Sequence, residues 1–541
     1  MPQSTSSTTP TAIVIGAGVA GLATAGLLAR DGYDVTVFEK QDRVGGRAGV
    51  IEDAGFRWDM GPSWWLMPGA FEHFYQLMGT TVDDELDLVT LNEPAFRMFT
   101  EGHPPLDVST GTRNVVELFD SIEPGAGKKL QRYLAGMETD YRLAIEQFLY
   151  TNFTQLRGLT TAQIMRRLGR LAAKLTRSLE SDVAAQFEHV QLRQLLTYAA
   201  VFLSSAPKMT PAFYGIMNYT TLVEGVAYPM GGFGTFVDSL HRLAVDAGAH
   251  IMTGTTVERI HAQSNKTRRK VSAVTYRNAA GAHEQLADVV VSCADRHHTE
   301  THLLDDPRAA RPKYWQRRNP GLSSVLAYLG IRGELPELAH HSLFFSADWD
   351  PDFDAVFPPD RGSAPGRDQF SNSLYVSRPS ATDPSVAPEG HENVFMLIPV
   401  PAMDDGIVGD LNHPEDPEVT AIVDRAIELV GQRIGVPNLA TRIVARHTVG
   451  PGDFQERFNA WQGNALGLAH TLSQSAFFRG ANTSKYVDGL YFAGATTVPG
   501  VGLPMCLISA ENVLKRLRDD TSTGPLPTPL QPGAARIGHN R

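Results

Sequence analysis

Apolar positions along the chain fall into two textures. Short runs of β-branched and aromatic residues, "TAIVIG" at 11–16, "DVTVFEK" at 34–40, "VVVSC" at 289–293 and "GLYFAG" at 489–494, predict buried strands feeding turns. Over 140–202 apolar residues recur every three or four positions, which predicts amphipathic helices, whereas over 322–401 β-like runs such as "FMLIPVP" alternate with proline-rich turns. Segments of α/β texture, 12–40, 249–293 and 487–518, are therefore separated by long stretches of different character. That arrangement predicts one nucleotide domain assembled from distant pieces and interleaved with a second domain. No internal repeat is visible. Residues 1–10 and 519–541 are rich in Ser, Thr, Pro and Gly and predict disordered tails around a folded body of 11–518, and 351–369 and 435–453 predict loops.

Composition narrows the class. The 541 residues with 42% hydrophobic content suffice for sizeable cores, on the order of two to four domains. A net charge of −11 supplies no global basic field, so nucleic acid is excluded as a partner and any attraction to anionic lipid must be local. The two cysteines, Cys293 and Cys506, form no C-x-x-C pair, which fits a reducing compartment and buried thiols. The first ten residues lack the pattern of a signal peptide, and no stretch reaches the roughly 18 apolar residues of a membrane span. The expectation is a cytoplasmic protein, free to lie on a membrane surface.

The opening segment carries the first chemistry. In "AIVIGAGVAGLATAGLLARDGYDVTVFEK" (12–40), Gly16 permits a tight turn, Gly18 lets backbone approach a pyrophosphate, and Gly21 lets helix and strand pack closely. The helix N-terminus that follows offers N–H groups to phosphates. Glu39, eighteen positions after Gly21 and followed by Lys40, ends the second strand, where its carboxylate can accept hydrogen bonds from a ribose and would repel a 2′-phosphate.

The next stretch, "QDRVGGRAGVIEDAGFRWDMGPSWW", resembles the flavoprotein superfamily of amine oxidases and carotenoid desaturases. Gly45, Gly46 and Arg47 match its G-G-R motif, whose arginine touches the FAD pyrophosphate, and Gly61, Pro62 and Ser63 of "DMGPS" match its D-x-G-P turn beside the flavin. Near the other end, "GLYFAGATTVPGVGLPMCLISAENVLKRL" (489–517) reads as strand, Gly/Pro loop and a helix entered at Pro504. A helix N-terminus there, around Leu503 to Met505, would stabilise negative charge on a reduced flavin. Together with "YPMGG" (228–232) and "ATDPSVAPEG" (381–390), the chain resembles the bacterial and fungal type of phytoene desaturase over essentially its whole folded body. Val498 stands where many relatives carry a histidine.

The resemblance implies non-covalent FAD held by the residues just named and by Val257, Gly494, Ala495, Pro499 and Gly502. It implies an α/β fold: a glutathione-reductase-like FAD-binding Rossmann domain in three segments, 11–95, 235–305 and 485–518, and an α+β substrate domain from 96–234 and 306–484. The implied activity is desaturation of phytoene or a related C40 or C30 polyene, towards neurosporene and lycopene, by hydride transfer to flavin N5, with electrons passed on to oxygen or a quinone. Carotene isomerisation, terminal-methyl oxidation, amine oxidation and a polyene-binding scaffold without turnover are the alternatives. With a single G-x-G-x-x-G frame, NAD is not expected as a redox partner.

Abstraction of hydride from an allylic carbon leaves a proton to be lost from its neighbour, and the sequence names no base for it. Arg166 and Arg167 are candidate polar groups beside the tunnel. They lie in "TTAQIMRRLGRLAAKLTRSL" (160–179), where leucines form one stripe and Arg166, Arg170, Lys174 and Arg177 another. This is the pattern either of a helix on the inner face of an anionic membrane or of one with its leucines in the core and its cations in water. His298 and His302 have the i, i+4 spacing of a metal pair but no third ligand nearby, so no metal is expected. "DWDPDFD" (348–354) lacks the glycine a calcium loop needs and predicts a solvated turn. Trp64 and Trp65 either line the tunnel or fill the core.

Overall fold

The computed structural model describes residues 9–61, 63–92, 94–153, 162–265, 268–358 and 366–533. Its nucleotide domain is built on a five-stranded, wholly parallel sheet. The strand order is Leu490–Phe492, Val289–Ser292, Thr11–Ile15, Asp34–Phe38, His250–Met252. Both faces are covered, which is why these strands read as continuous apolar runs. Ala12, Val14, Val35 and Val289 face helices Val19–Arg30, Phe233–Asp246 and Leu503–Leu517, whereas Ile13, Ile15, Phe38 and Val290 face the antiparallel strands Thr256–Asn265, Arg268–Asn278 and Gly281–Leu286.

The second domain holds a seven-stranded mixed sheet in the order Ile443–Val449, Leu322–Arg332, His391–Pro401, Leu374–Ser377, His341–Phe345, Phe96–Thr100, Leu106–Val108. Only His341–Phe345 and Phe96–Thr100 run parallel. One face packs Val325, Ala327, Met396 and Val400 against helix Pro417–Arg433. The other carries Leu326, Tyr328, Leu343, Phe345 and Tyr375 towards a layer of helices that includes Ala126–Ala144 and Val190–Thr197.

Several expectations need correction. The segment 435–453 is not all loop, because Ile443–Val449 is an edge strand, and its charged, broken alternation reflects that one-sided pairing. Helix Asp350–Val356 occupies the predicted turn. There Asp352 is buried and accepts from Asn372 N at 2.8 Å and Ser373 Oγ at 2.6 Å, so it binds chain rather than solvent. The C-terminal segment 519–533 packs against the fold rather than forming a disordered tail. Leu526 and Leu530 are buried in the nucleotide-domain core, and the Lys515 ammonium donates to the carbonyls of Tyr150, Ser522 and Gly524. Two leucines among prolines gave too little periodicity to be read as packing. Residues 1–8 and 534–541 lie outside the described residues.

Candidate active site

The first turn is shaped by its glycines. Gly16 adopts φ +94°, and a Cβ on Gly21 would overlap the carbonyl oxygen of Gly16, so only glycine lets helix Val19–Arg30 start this close to the strand. The G-G-R turn folds back on it, with Gly45 N–H donating to Ala17 O at 2.9 Å. Glu39 is buried; its Oε2 accepts from Ala17 N–H at 2.6 Å and its Oε1 from Gln41 N–H at 2.8 Å. Burial pushes its pKa up and those two amides pull it back. A carboxylate offers about four lone-pair directions, so acceptor capacity remains for a ribose. The Lys40 ammonium is turned to the Glu456 carbonyl.

Arg47 donates through Nη2 to Asn464 O at 3.2 Å, whereas its Nε is shielded from solvent and has no partner among the described residues. A shielded, unused donor on a guanidinium calls for an anion. Opposite, Gly502 at φ +121° starts helix Leu503–Leu517 with Pro504 in its first turn. Ser509 Oγ holds the preceding loop by accepting from Gly494 N–H and donating to Val498 O.

These elements open into one cavity of about 610 Å³. Gly16, Gly18, Gly21, Glu39, Lys40, Gly45, Gly46, Arg47, Gly61, Ser63, Val257, Gly494, Ala495, Pro499, Gly502, Leu503, Pro504 and Met505 all line it. Pro62 lies outside the described residues. The cavity continues between the seven-stranded sheet and the helical layer, where its wall is apolar: Tyr198, Phe202, Leu343, Phe345, Phe353 and Leu397. Trp64 is part of that wall, its ring 4.4 Å from that of His341, whereas Trp65 stacks on Phe71 in the core. The two tryptophans thus divide the roles open to them.

The basic helix spans Ala162–Thr176 and turns Leu171 and Leu175 onto the cavity. Its cations are not an unpaired stripe. Arg170 meets Asp140 at 3.1 Å, Lys174 meets Asp182 at 2.9 Å, and Arg177 donates to Ser181 O at 2.7 Å. The partner acids come from neighbouring helices, which the spacing within the helix did not reveal. Arg167 is not part of the described cavity wall, and the side chain of Arg166 lies outside the described residues.

His298 also borders the cavity; burial lowers its pKa to about 4, and its ring stacks on His302. Among the described residues no three His, Cys, Asp or Glu side chains group as a metal site. Burial raises the Cys293 and Cys506 thiols to about 12 and about 11.

Sequence reading missed three features. Asp59 caps helix Phe233–Asp246 by accepting from Phe233 and Gly234 N–H, and Asp383 accepts from Gly231 N–H at 2.6 Å. The "DMGPS", "YPMGG" and "ATDPS" stretches therefore meet behind the cavity. The third is a polar chain in its wall: Ser63 Oγ to Tyr375 Oη at 2.7 Å, and Tyr375 Oη to His341 Nδ1 at 2.8 Å. Period-two alternation in the strands, with Leu343 and Phe345 inward and Phe344 outward, was the available signal for that wall.

The description "Flavin containing amine oxidoreductase" matches residues 19–515. A carotenoid 3,4-desaturase of Haloarcula japonica is 38% identical, with 94% of this chain and 98% of that protein covered. A zeta-carotene-forming phytoene desaturase of Myxococcus xanthus is 32% identical, covering 93% of each, and a phytoene desaturase of Fusarium fujikuroi is 30% identical over 94% of this chain and 89% of its own. The chain belongs to the carotenoid desaturase family of flavin-containing oxidoreductases. Among solved structures, an oxidoreductase of Methanosarcina mazei (TM-score 0.57, 16% identity, covering 93% of this chain and 100% of that one) and cyclohexylamine oxidase of Brevibacterium oxydans (TM-score 0.56, 14% identity, covering 94% and 98%) share the fold. As a family member this desaturase-like chain is a flavin-dependent oxidoreductase, with a Rossmann-type flavin domain and a separate substrate domain.

Proposed function

We propose that the chain is an FAD-dependent desaturase acting on phytoene or a related acyclic polyene, on the inner face of a membrane. The observation that carries this reading is the continuity of one cavity from the dinucleotide cradle at Gly16 and Glu39 to a long apolar and aromatic wall. Glu39 would take the adenosine ribose. The glycine turn and Arg47 would take the pyrophosphate, and the N–H groups starting helix Leu503–Leu517 would face the flavin ring. Bound FAD would supply the oxidant, a two-electron acceptor for the hydride of an allylic carbon. The chain's own share is to hold the polyene straight against that ring and to keep water out, which the wall of Tyr198, Phe202 and Phe345 suits. Oxygen or a membrane quinone then takes the electrons, and the polyene is drawn from the bilayer.

The test is expression in one host that accumulates phytoene and in another that accumulates coloured acyclic carotenes, followed by absorption and mass analysis of the extracts. Loss of hydrogens in pairs from phytoene, with absorption moving into the visible, is expected. Loss of one pair from an already coloured polyene alone would shift the substrate towards that of a 3,4-desaturase. Altered absorption without altered mass would mean isomerisation, and unchanged pigments beside folded, FAD-loaded protein would overturn the assignment.

A further inference from the structure

Desaturation must dispose of a proton as well as a hydride, and the cavity wall is mostly apolar. Polar side chains line it in several places, among them Asp295, Asp352, Ser371, His470 and Ser475, and one hydrogen-bonded set stands where the "DMGPS" turn meets the substrate-domain sheet. Ser63 and Tyr375 line the cavity, and behind them His341 is wholly buried on strand His341–Phe345. The three side chains form a continuous run of hydrogen bonds, 2.7 Å and 2.8 Å, that starts at the cavity and ends on a ring nitrogen. Trp64 covers His341 by stacking, and His341 Nε2 has no partner among the described residues. Burial holds the His341 pKa well below its ordinary value, so the ring is neutral, and the neighbouring His340 adds to that depression.

A neutral acceptor suits this place. An apolar substrate would not enter past a buried charge, and the proton beside an allylic cation is acidic enough for a weak base. With its hydrogen on Nε2, His341 accepts from Tyr375, Tyr375 accepts from Ser63, and the Ser63 oxygen is left with lone pairs towards the cavity.

We propose that Ser63, Tyr375 and His341 form the proton relay of the reaction. This rests on the desaturase reading. The hydride leaves one allylic carbon with both electrons of its bond, to the flavin. The neighbouring C–H proton passes to Ser63 Oγ as the Ser63 proton moves to Tyr375 Oη and the Tyr375 proton to His341 Nδ1. The electron pair of that C–H bond becomes the new C=C bond. Ser63 and Tyr375 end as they began and His341 ends as imidazolium, whose proton returns along the same hydrogen-bonded run to the cavity once the product has left.

The experiment compares the FAD-loaded native chain with Tyr375→Phe and His341→Gln, using polyene carrying deuterium either at the hydride-losing or at the proton-losing carbon. Expected for both variants is a fall in kcat of about 100-fold with KM nearly unchanged, matching the usual contribution of a positioned acid or base. The isotope effect should appear at the proton-losing carbon in the variants and at the hydride-losing carbon in the native chain. Independently of turnover, ¹⁵N spectra of the histidines should show a neutral Nε2–H ring whose Nδ1 signal moves in Tyr375→Phe. Variants that turn over at the native rate, a loss of rate with no change of isotope position, or an imidazolium at neutral pH in the resting protein would each overturn the relay. Failure of the native chain to desaturate any polyene would instead sink the functional reading beneath it.

Discussion

Asp59 shows how one side chain sets the shape of the site. It accepts from two N–H groups at the start of helix Phe233–Asp246, while Asp383, beside it, accepts from Gly231. Burial raises the Asp59 carboxyl to about 6, more than the two amides and Arg57 lower it. A carboxyl whose pKa is raised on folding favours the native state while protonated, and that advantage drains away as pH climbs from its unfolded value to its folded one. Between about pH 4 and pH 7 the native chain should therefore lose on the order of 1–3 kcal/mol through this residue. Asp59→Asn removes the titration, so the variant should gain on the native chain by that amount across the same range, read as denaturant unfolding midpoints at the two pH values. A gap independent of pH would show that Asp59 does not titrate there.

At the scale of elements, helix Ala162–Thr176 pairs cations within the fold, whereas the segment 472–478 leaves apolar side chains exposed beside the cavity. The helix spends Arg170 and Lys174 on Asp140 and Asp182 and its leucines on the cavity. In contrast, Leu472 and Phe478 are 42% and 50% exposed and flank Ser475 and Ala476 of the cavity wall. Reversing Arg170, Lys174 and Arg177 to Glu should set carboxylate against carboxylate and loosen the helix, seen as faster proteolysis there. Leu472→Glu with Phe478→Glu should instead reduce sedimentation with anionic vesicles and leave thermal unfolding within a degree or so. The opposite pairing of results would place a lipid contact on the helix instead.

What was legible follows from the range of the interactions concerned. Glu39 and the glycines act on neighbours within about thirty residues, so a short stretch displayed their purpose. The Ser63–Tyr375–His341 chain joins residues 312 apart at its first link, and no local spacing encodes it. Asp140 and Asp182 lie only 30 and 8 residues from the cations they meet, but on neighbouring helices, so the spacing within the basic helix did not point to them.

For the molecule as a whole, the C-terminal residues act as a strap. Arg518 pairs with Asp31, Gly533 N–H donates to the same carboxylate at 2.7 Å, and Leu526 N–H donates to Glu511 at 2.6 Å. Leu526 and Leu530 are 4% and 2% exposed. Fully burying a leucine contributes about 1.5–3 kcal/mol, and the pair of leucines together with the Asp31 and Glu511 contacts should make a chain ending at Arg518 less stable than the full one. Calorimetry of the shortened, FAD-loaded chain would show a lower transition temperature; an unchanged one would mean the strap is thermodynamically idle.

The sheet order has a further bearing on how such a chain comes into being. Its central strand, Thr11–Ile15, is synthesised first, yet its partner on one side begins at Val289, 277 residues after Ala12. At the usual 5–20 residues per second, that strand emerges from the ribosome roughly 15–55 s before its neighbour. The last strand, Leu490–Phe492, joins the sheet about 200 residues later still. Through that interval an apolar β edge stands open beside other nascent chains, so the yield of soluble protein should track chaperone supply and translation speed more closely than the stability of the finished fold.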